Sequence, residues 1–249
     1  MTELAHVQHF IELIAKTRNL EDLERLLESM TLDMGFQYFA LVQHVDIRKS
    51  DNRQTIWLEN YPDSWAEVFI ESGLYANDPI HVASQHTSVG FAWSDVNNLI
   101  RLNAHHKRVL DKARREGMGD GFTVPLHIPG EANGSCSFGV RRGQELPRHN
   151  LMVAQLIGTY AFEAARKRVT EKTRDKVEKP KLTGRQLDCL IHVSRGKSDW
   201  EIAKMLGIKE STVRSYVDDA CERYGVRRRV QLVVRALHDG HMTLRDAIG

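Results

Sequence analysis

The C-terminal part of the sequence, residues 181–249, is divided by glycines into four short segments that carry helix-boundary signals. Ser198 followed by Glu201 is a capping box, Thr183 caps the preceding helix, and Ser211 or Thr212 caps the following one. A fourth helix is predicted over residues 229–238. The residues that end the four helices are Gly196, Gly207, Gly225 and Gly240. Helices this short are stable only when they pack together, so a small all-α domain of four helices is predicted.

The second and third of these helices are joined by Gly207, Ile208 and Lys209, the tight turn of a helix-turn-helix. Such a motif places its second helix, here residues 211–224, in the major groove of DNA. The side chains predicted to be buried are Leu187, Leu190, Ile191, Ile202, Met205, Leu206, Val213, Val217 and Cys221. Candidate contacts to bases and phosphates are Lys197, Ser198, Lys209, Ser211, Thr212, Arg214, Ser215, Asp218, Arg227, Arg228 and Arg229. Helical spacing alone equally allows a helical bundle with a solvated charged face.

Three runs of this region carry a family resemblance: LTGRQLDCL, GKSDWEIAKMLGIKESTVRSYV and YGVRRRVQLVVRAL. Together they resemble the DNA-binding domain of LuxR-type transcriptional regulators, with many residues at the family's spacing. Gln186 stands where the family usually has Glu, and Tyr216 where it often has His. Neither departure is expected to abolish DNA binding. The resemblance implies that double-stranded DNA is one partner and that RNA polymerase is another.

Charge and cysteine content agree with a DNA-binding protein of the cytoplasm. Residues 180–249 hold 13 Lys and Arg against 9 Asp and Glu, a net +4, which leaves −2 for residues 1–179. A basic module suggests a polyanionic partner. The three cysteines are widely spaced and form no CxxC pair, which fits reduced thiols in a cytosol. The N-terminal residues form no uninterrupted apolar run, so neither a signal peptide nor a membrane span is predicted.

The first 168 residues predict an α+β domain. Two amphipathic helices open the chain, and the strand-like segments 36–45 and 55–59 flank the turn-like residues 49–54. A helix is predicted over about residues 104–115, ended by Gly117. A second hairpin follows from residues 121–127 and 135–141, with a long helix over about 150–167. This order predicts an α/β/α sandwich with a central antiparallel sheet, joined by a charged linker, residues 169–180, to the all-α domain 181–249.

The segment from Ile56 to Asp95 resembles the acyl-homoserine lactone pocket of the quorum-sensing LuxR-type proteins. The family pattern NYPxxW, Asp-Pro, Trp is matched by Tyr61, Trp65, Asp78 and Trp93. The resemblance implies that Tyr61 hydrogen-bonds the acyl carbonyl, that the Trp65 indole donates to the lactone carbonyl, and that Asp78 accepts from the ligand amide. Trp93 would pack on the lactone ring. Further predicted ligand contacts are Trp57, Phe69, Thr123 and Val140, with Ser137 in place of Val140 if the alignment gap shifts.

Each of these residues also has an ordinary structural interpretation. Asp78 before Pro79 has the pattern of an N-cap followed by Pro at the first helical position. Trp65 and Phe69, four residues apart, suit a helical core, and Trp57 suits strand packing. Their joint spacing, rather than any one of them, favours a ligand site. A neutral amide can leave water only if its donor and acceptors are satisfied, which one carboxylate and two aromatic donors would do.

The pocket composition also bears on the class of ligand. Trp57 is large for a pocket-lining strand residue, and Phe69 stands where relatives commonly have Tyr. A short-chain or aromatic ligand is therefore expected rather than a long 3-oxo chain.

The pairs His81 with His86, His105 with His106, and His238 with His241 lack metal-site spacing and are interpreted as solvated. No catalytic motif is present, so the predicted small molecule is an effector rather than a cofactor, no metal is expected, and no enzyme is predicted.

The resulting prediction is a homodimeric regulator in which a lactone controls binding to a two-fold symmetric operator. Two alternatives stay open. The first is a regulator of the same build that answers a different small molecule or none. The second is a protein that sequesters a related regulator in mixed dimers.

Overall fold

The computed structural model describes residues 3–45, 55–71, 73–74, 78–128, 131–173 and 180–249. The chain divides into two compact units, Met1–His127 with Ala132–Arg174, and Ile128–Glu131 with Asp175–Gly249. The turn predicted at residues 49–54 lies outside the described residues, as do residues 174–179 of the predicted linker. No described helix is long and apolar enough to cross a membrane.

The first unit contains the predicted antiparallel sheet. Its strands are β1 (Tyr38–Gln43), β2 (Trp57–Glu59), β3 (Phe91–Ala92), β4 (Met118–Leu126) and β5 (Gly134–Arg141), in the order β2-β1-β5-β4-β3. All neighbouring strands are antiparallel, and Ala40 faces both Glu59 and Ser137 in the register. Because side chains alternate along a strand, these three residues share one face of the sheet.

Three helices lie on one side of this sheet: α1 (Glu3–Ile14), α2 (Leu20–Asp33) and α6 (Leu151–Thr173). The sheet residues turned toward them include Leu41, Cys136 and Phe138, all fully buried. Gly158 lets α6 approach closely, because a Cβ there would lie 2.9 Å from the Cβ of Cys136. Helix α6 is longer than the sequence predicted, since it continues past residue 167 to Thr173.

The other face of the sheet is covered by α3 (Asp63–Glu71), α4 (Pro79–Ser84) and α5 (Ala104–Arg115), together with a 3-10 helix, Trp93–Asn98. Helices therefore lie on both faces of an antiparallel sheet, as predicted. The α5 boundaries agree with the sequence prediction, and Asn103 and His106 form its capping box. The prediction that His106 is solvated is wrong, because this side chain is buried.

The second unit is all helical: α7 (Gly184–Ser194), α8 (Asp199–Leu206), α9 (Glu210–Arg223), α10 (Arg229–His238) and α11 (Leu244–Ile248). Capping boxes at Thr183 and Ser198 open α7 and α8, and Gly207 ends α8 in the left-handed conformation with φ of 67°. The buried centre consists of Cys189, Leu190, Ile202, Ala203, Val213, Val217, Ala220, Leu232, Ala236 and Met242.

Three details of this unit differ from the sequence prediction. Helix α9 begins at Glu210 with Lys209 at its N-cap, so Ser211 and Thr212 lie in its first turn and cap nothing. Met205, predicted to be buried, is 55% exposed, whereas Ala203 is 7% exposed. The short helix α11 was not predicted, although Thr243 and Asp246 form its capping box.

Candidate functional site

A cavity of about 710 Å³, counting its open mouth, lies between the sheet and the helices α3, α4 and α5. Its walls are mainly aromatic and aliphatic, with polar groups interspersed. The residues that line it are Ala40, Val42, Trp57, Glu59, Tyr61, Trp65, Ala66, Phe69, Asp78, Ile80, His81, Trp93, Val109, Leu110, Ala113, Met118 and Ser137. Such a mixture of apolar walls and a few polar groups is typical of a site for a small molecule.

Six of the eight residues predicted to contact a ligand line this cavity: Trp57, Tyr61, Trp65, Phe69, Asp78 and Trp93. Thr123 lies behind the wall and is hydrogen-bonded to two lining residues. Val140 does not line the cavity, contrary to the prediction, because it is fully buried on the opposite face of the sheet, where Phe138 also points. Ser137, the alternative position, faces the cavity because it is an odd number of residues away on the same strand.

Asp78 is the predicted helix cap and also lines the cavity. It is the N-cap of α4, where its Oδ1 accepts a 3.1 Å hydrogen bond from the backbone N–H of Ile80 and Pro79 follows at the first helical position. Its other oxygen, Oδ2, lies 3.6 Å from Nε2 of His81. Because the side chain is 8% exposed and lines the cavity, the cap fixes a carboxylate at the cavity wall.

A chain of hydrogen bonds runs behind the cavity. The indole N–H of Trp93 donates to Thr123 Oγ1 at 2.8 Å, and Thr123 and Ser137 share a 2.8 Å hydroxyl–hydroxyl bond. The Ser137 hydroxyl is in turn close enough to the Tyr61 phenol to lower its pKa. An indole N–H can only donate, so Thr123 Oγ1 accepts from Trp93 and the Thr123 hydroxyl can donate to Ser137. The Ser137 hydroxyl can then donate toward the Tyr61 oxygen. With this orientation, the phenolic O–H of Tyr61 is left to donate into the cavity.

Tyr61 also lies near two carboxylates. Burial raises the pKa of its phenol well above the usual range, and the charges of Asp78 and Glu59 raise it further. The phenol therefore stays protonated and acts as a donor. The Tyr61 O–H can donate to the C=O of an amide group, and the Asp78 carboxylate can accept from its N–H.

Two polar residues of the cavity were missed by the sequence analysis. Glu59 lines the cavity, and burial raises the pKa of its carboxyl group, opposed by the N–H of Tyr61, which donates to Glu59 Oε2 at 2.7 Å. Its spacing of two residues from Trp57 could have placed both on one strand face. The prediction that His81 is solvated is wrong, since its side chain is 14% exposed and lines the cavity.

The ring of His81 is stacked on that of His44, with 4.0 Å between the ring centroids. His44 Nε2 lies 2.9 Å from the hydroxyl of Ser135. Burial, together with the neighbouring His81 and His127, lowers the pKa of His44 to about 2. Among the described residues, no group of three or more His, Cys, Asp or Glu side chains could hold a metal ion.

The second unit presents the helix-turn-helix surface. Val213, Val217 and Ala220 turn the inner face of α9 into the core, which leaves the outer face to polar side chains. The predicted contacts that are exposed on and around α9 are Ser198, Lys209, Ser211, Arg214, Ser215, Asp218, Arg227, Arg228 and Arg229. Lys197 and Thr212 are half-buried, and Ser198 also serves as the N-cap of α8.

Arg214 is held by carboxylates on this surface. Its Nε lies 3.7 Å from Oδ2 of Asp199, and its Nη2 lies 3.6 Å from Oε1 of Glu210. The side chain of Asp199 is 9% exposed and forms a closer, two-pronged pair with Arg229, at 2.9 and 3.4 Å. This pair raises the pKa of the Arg229 guanidinium, chiefly through its hydrogen bonds. Asp199 therefore ties the start of α8 to α9 and α10.

Comparison with known proteins gives relatives over nearly the whole chain. The transcriptional activator protein VanR of Vibrio anguillarum is 29% identical over 227 residues, which is 89% of this chain and 91% of VanR. Escherichia coli SdiA has a similar structure with a TM-score of 0.63 and 19% identity, covering 95% of this chain and 98% of SdiA; it is also known in complex with octanoyl-rac-glycerol. CepR2 from Burkholderia cenocepacia, an N-acylhomoserine lactone dependent LuxR family factor, covers 68% of this chain and 99% of its own, with a TM-score of 0.55 and 14% identity.

A cavity of this chemistry in one unit and a helix-turn-helix in the other define a small-molecule-responsive DNA-binding regulator. Residues 19–165 match the autoinducer binding domain, and residues 180–236 match the bacterial regulatory proteins of the luxR family. The chain therefore belongs to the LuxR-type quorum-sensing transcriptional regulators, which are not enzymes.

Proposed function

We propose that the protein is a transcriptional activator that binds an N-acyl-homoserine lactone in the cavity of residues 1–168 and an operator through residues 181–249. The observation that carries this proposal is the presence of both the Tyr61 phenol and the Asp78 carboxylate in the wall of one mainly apolar cavity. An acylated amide presents one acceptor and one donor that need partners once they leave water. Trp65, 6% exposed on the wall, would donate to the lactone carbonyl, and Trp93 would pack on the ring.

Homodimerisation is supported by an apolar stripe on α6. Met152, Leu156 and Tyr160 are spaced four residues apart on one side of this helix and are 73%, 37% and 43% exposed. Exposed apolar side chains in such a row favour a protein interface. On α10, Val230 and Val234 form a similar exposed pair. Two copies of the chain would present two α9 helices to a two-fold symmetric operator, with Arg214 directed at base edges.

The remaining parts of the proposal follow from these contacts. Binding chromosomal DNA requires the protein to act in the cytoplasm. An activator bound to its operator would act by contacting RNA polymerase, and the relatives are named transcriptional activators. The exposed Arg227 and Arg228, next to the N-terminus of α10, would contact phosphates, together with Lys197, Ser198, Lys209 and Thr212.

Thermal unfolding with and without lactones tests the ligand. At a lactone concentration of about 100 times Kd, binding contributes about 2.7 kcal/mol to the unfolding free energy and raises Tm. Asp78→Asn should abolish this gain while the fold persists, because Asn is an equally good N-cap. Its oxygen would serve the cap and its NH₂ would face the ligand amide, donor against donor. Asp95→Asn, at an exposed position of the 3-10 helix, is the matched control.

The same assay separates the alternatives. Stabilisation by a monoacylglycerol but by no lactone would favour a regulator that answers a non-lactone molecule, as in the SdiA complex. For the DNA-binding role, Arg214→Ala should lower operator affinity, whereas Arg235→Ala, on the exposed side of α10, should leave it unchanged. A protein that folds, binds a lactone and binds no DNA would favour the sequestering role.

A further inference from the structure

Glu59 is an unusual component of the cavity wall. It is on β2, where it shares one face of the strand with Trp57. Within the described residues, the one hydrogen bond to its carboxylate comes from the backbone N–H of Tyr61 and goes to Oε2. The described residues that line the cavity include no Lys or Arg. Oε1 is therefore an acceptor of a half-buried residue, with no Lys or Arg partner among the described residues that line this mainly apolar cavity.

The site described above does not require this carboxylate. In the proposed function, Asp78 accepts from the N–H of the ligand amide, and the Tyr61 O–H donates to the carbonyl of the ligand. The charge of Glu59 is close enough to raise the pKa of the Tyr61 phenol, as is that of Asp78. Because Glu59 and Tyr61 line the same cavity, a ligand whose carbonyl lies at Tyr61 can extend its chain along the wall that contains Glu59.

We propose, on the basis of the proposed function, that Glu59 makes the cavity select ligands whose acyl chain carries a hydrogen-bond donor, such as a hydroxyl group. A plain alkyl chain would remove water from Oε1 and offer it nothing in return, which is unfavourable for a carboxylate. A keto oxygen would place acceptor against acceptor. A hydroxyl group would donate a charge-assisted hydrogen bond, which is stronger than one between neutral groups.

The neighbouring cavity wall is consistent with such a chain. Trp57 enters the cavity from the same strand, and the rings of Trp65 and Phe69 are 5.3 Å apart on α3. The edge of Phe69 meets His81 at 6.0 Å between centroids. Glu59 itself is half-buried, so a bound acyl chain that covers it would exclude water from the carboxylate and make the presence or absence of one donor count more.

The test is a competition between three lactones of equal chain length, namely hexanoyl-, 3-oxohexanoyl- and 3-hydroxyhexanoyl-homoserine lactone, measured by calorimetric titration of the full-length protein. The hydroxylated lactone should bind at least ten-fold tighter than the other two. Glu59→Gln should reduce this preference to within about three-fold. The Gln oxygen would still accept from Tyr61 while its NH₂ faces the chain as a donor, which should improve the relative affinity of the 3-oxo form.

Glu12→Gln, at an exposed position of α1, is the control and should leave all three affinities unchanged. Equal affinities for the three lactones, or a preference for the hydroxyl group that survives Glu59→Gln, would overturn the role of Glu59 and leave the proposed function intact. Binding of no lactone by the folded wild-type protein would overturn both.

Discussion

The indole N–H of Trp93 donates a 2.8 Å hydrogen bond to the hydroxyl oxygen of Thr123. This bond takes the only donor of the Trp93 side chain and fixes the plane of its ring. The ring can therefore offer a ligand its face, and under the proposed function it would pack on the lactone while Trp65 would supply the indole donor. Thr123 does not line the cavity, but it links this ring to Ser137 and, through Ser137, to the Tyr61 phenol.

Thr123→Val should weaken both the fold and the lactone site. Valine has nearly the same shape, but it leaves the Trp93 N–H without an acceptor, at a cost of about 1–3 kcal/mol in unfolding free energy. Lactone affinity should fall as well, because Ser137 and Tyr61 lose their fixed orientation. Chemical unfolding and calorimetric titration measure the two effects. The exposed Thr159→Val on α6 is the control, and equal effects of both substitutions would contradict the role of Thr123.

Asp199→Asn should destabilise the C-terminal unit. Asp199 is paired with Arg229 at 2.9 Å and with Arg214 at 3.7 Å, but both arginines are partly exposed, so the expected loss is about 1 kcal/mol. Urea unfolding followed by fluorine NMR of fluorotryptophan-labelled protein measures it, because Trp200 lies on α8 while the other three tryptophans line the cavity. Asp188→Asn, whose pair with Arg185 is exposed, should cost much less.

Acidification should destabilise the N-terminal unit through His44. Its pKa is about 2 in the fold, against an ordinary value of about 6.5, so only the unfolded chain binds a proton between these values. The stability contribution is complete above about pH 6.5 and is lost as the pH falls, by up to about 1.4 kcal/mol per pH unit. Unfolding free energies measured from pH 7 to 5 should fall less steeply in His44→Gln than in wild type. The exposed His86→Gln should follow the wild-type slope.

Tyr160→Glu should convert the proposed dimer into a monomer. A carboxylate in the middle of an apolar interface loses its water without gaining a partner. Sedimentation velocity measures the oligomeric state, and operator affinity should fall with it because each monomer reaches only one half-site. Leu32→Glu places the same charge on another exposed apolar position, on α2. A Tyr160→Glu protein that stays dimeric would exclude this stripe as the interface.

Local signals predicted most of the fold. Capping residues and terminal glycines act within one helical turn, which is why α5, α7, α8 and α10 begin and end close to their predicted positions. The start of α9 was misplaced because Lys209 provides no side-chain cap, whereas the capping candidates Ser211 and Thr212 follow it. Helix α11 has a capping box but too few residues for a hydrophobic period.

The site was harder to predict because it depends on which face of a strand a residue occupies. Val140 was chosen over Ser137 because the position of an alignment gap was uncertain. The two residues are three apart on β5, so they lie on opposite faces of the sheet, and a shift of the gap changes which face is assigned. Glu59 was missed because β2 is three residues long, and burial of a polar residue on so short a strand depends on the helices that cover it. The burial of His81 was missed for the same reason, since the rings that pack on it belong to Phe69 on α3 and to His44, which follows β1.

The pairs that Asp199 and Glu210 make with Arg214 bear on how the protein would find its operator. An arginine whose charge is partly offset by two carboxylates contributes less to the attraction for the phosphate backbone, which is the source of nonspecific affinity and of counterion release. To contact DNA, Arg214 must exchange its carboxylate partners for a base edge that offers comparable hydrogen bonds. If Arg214 contacts a base edge as proposed, the free energy of that exchange would be favourable only where the base edge fits, and the ion pairs would shorten the residence time on random sequence during the search along a chromosome.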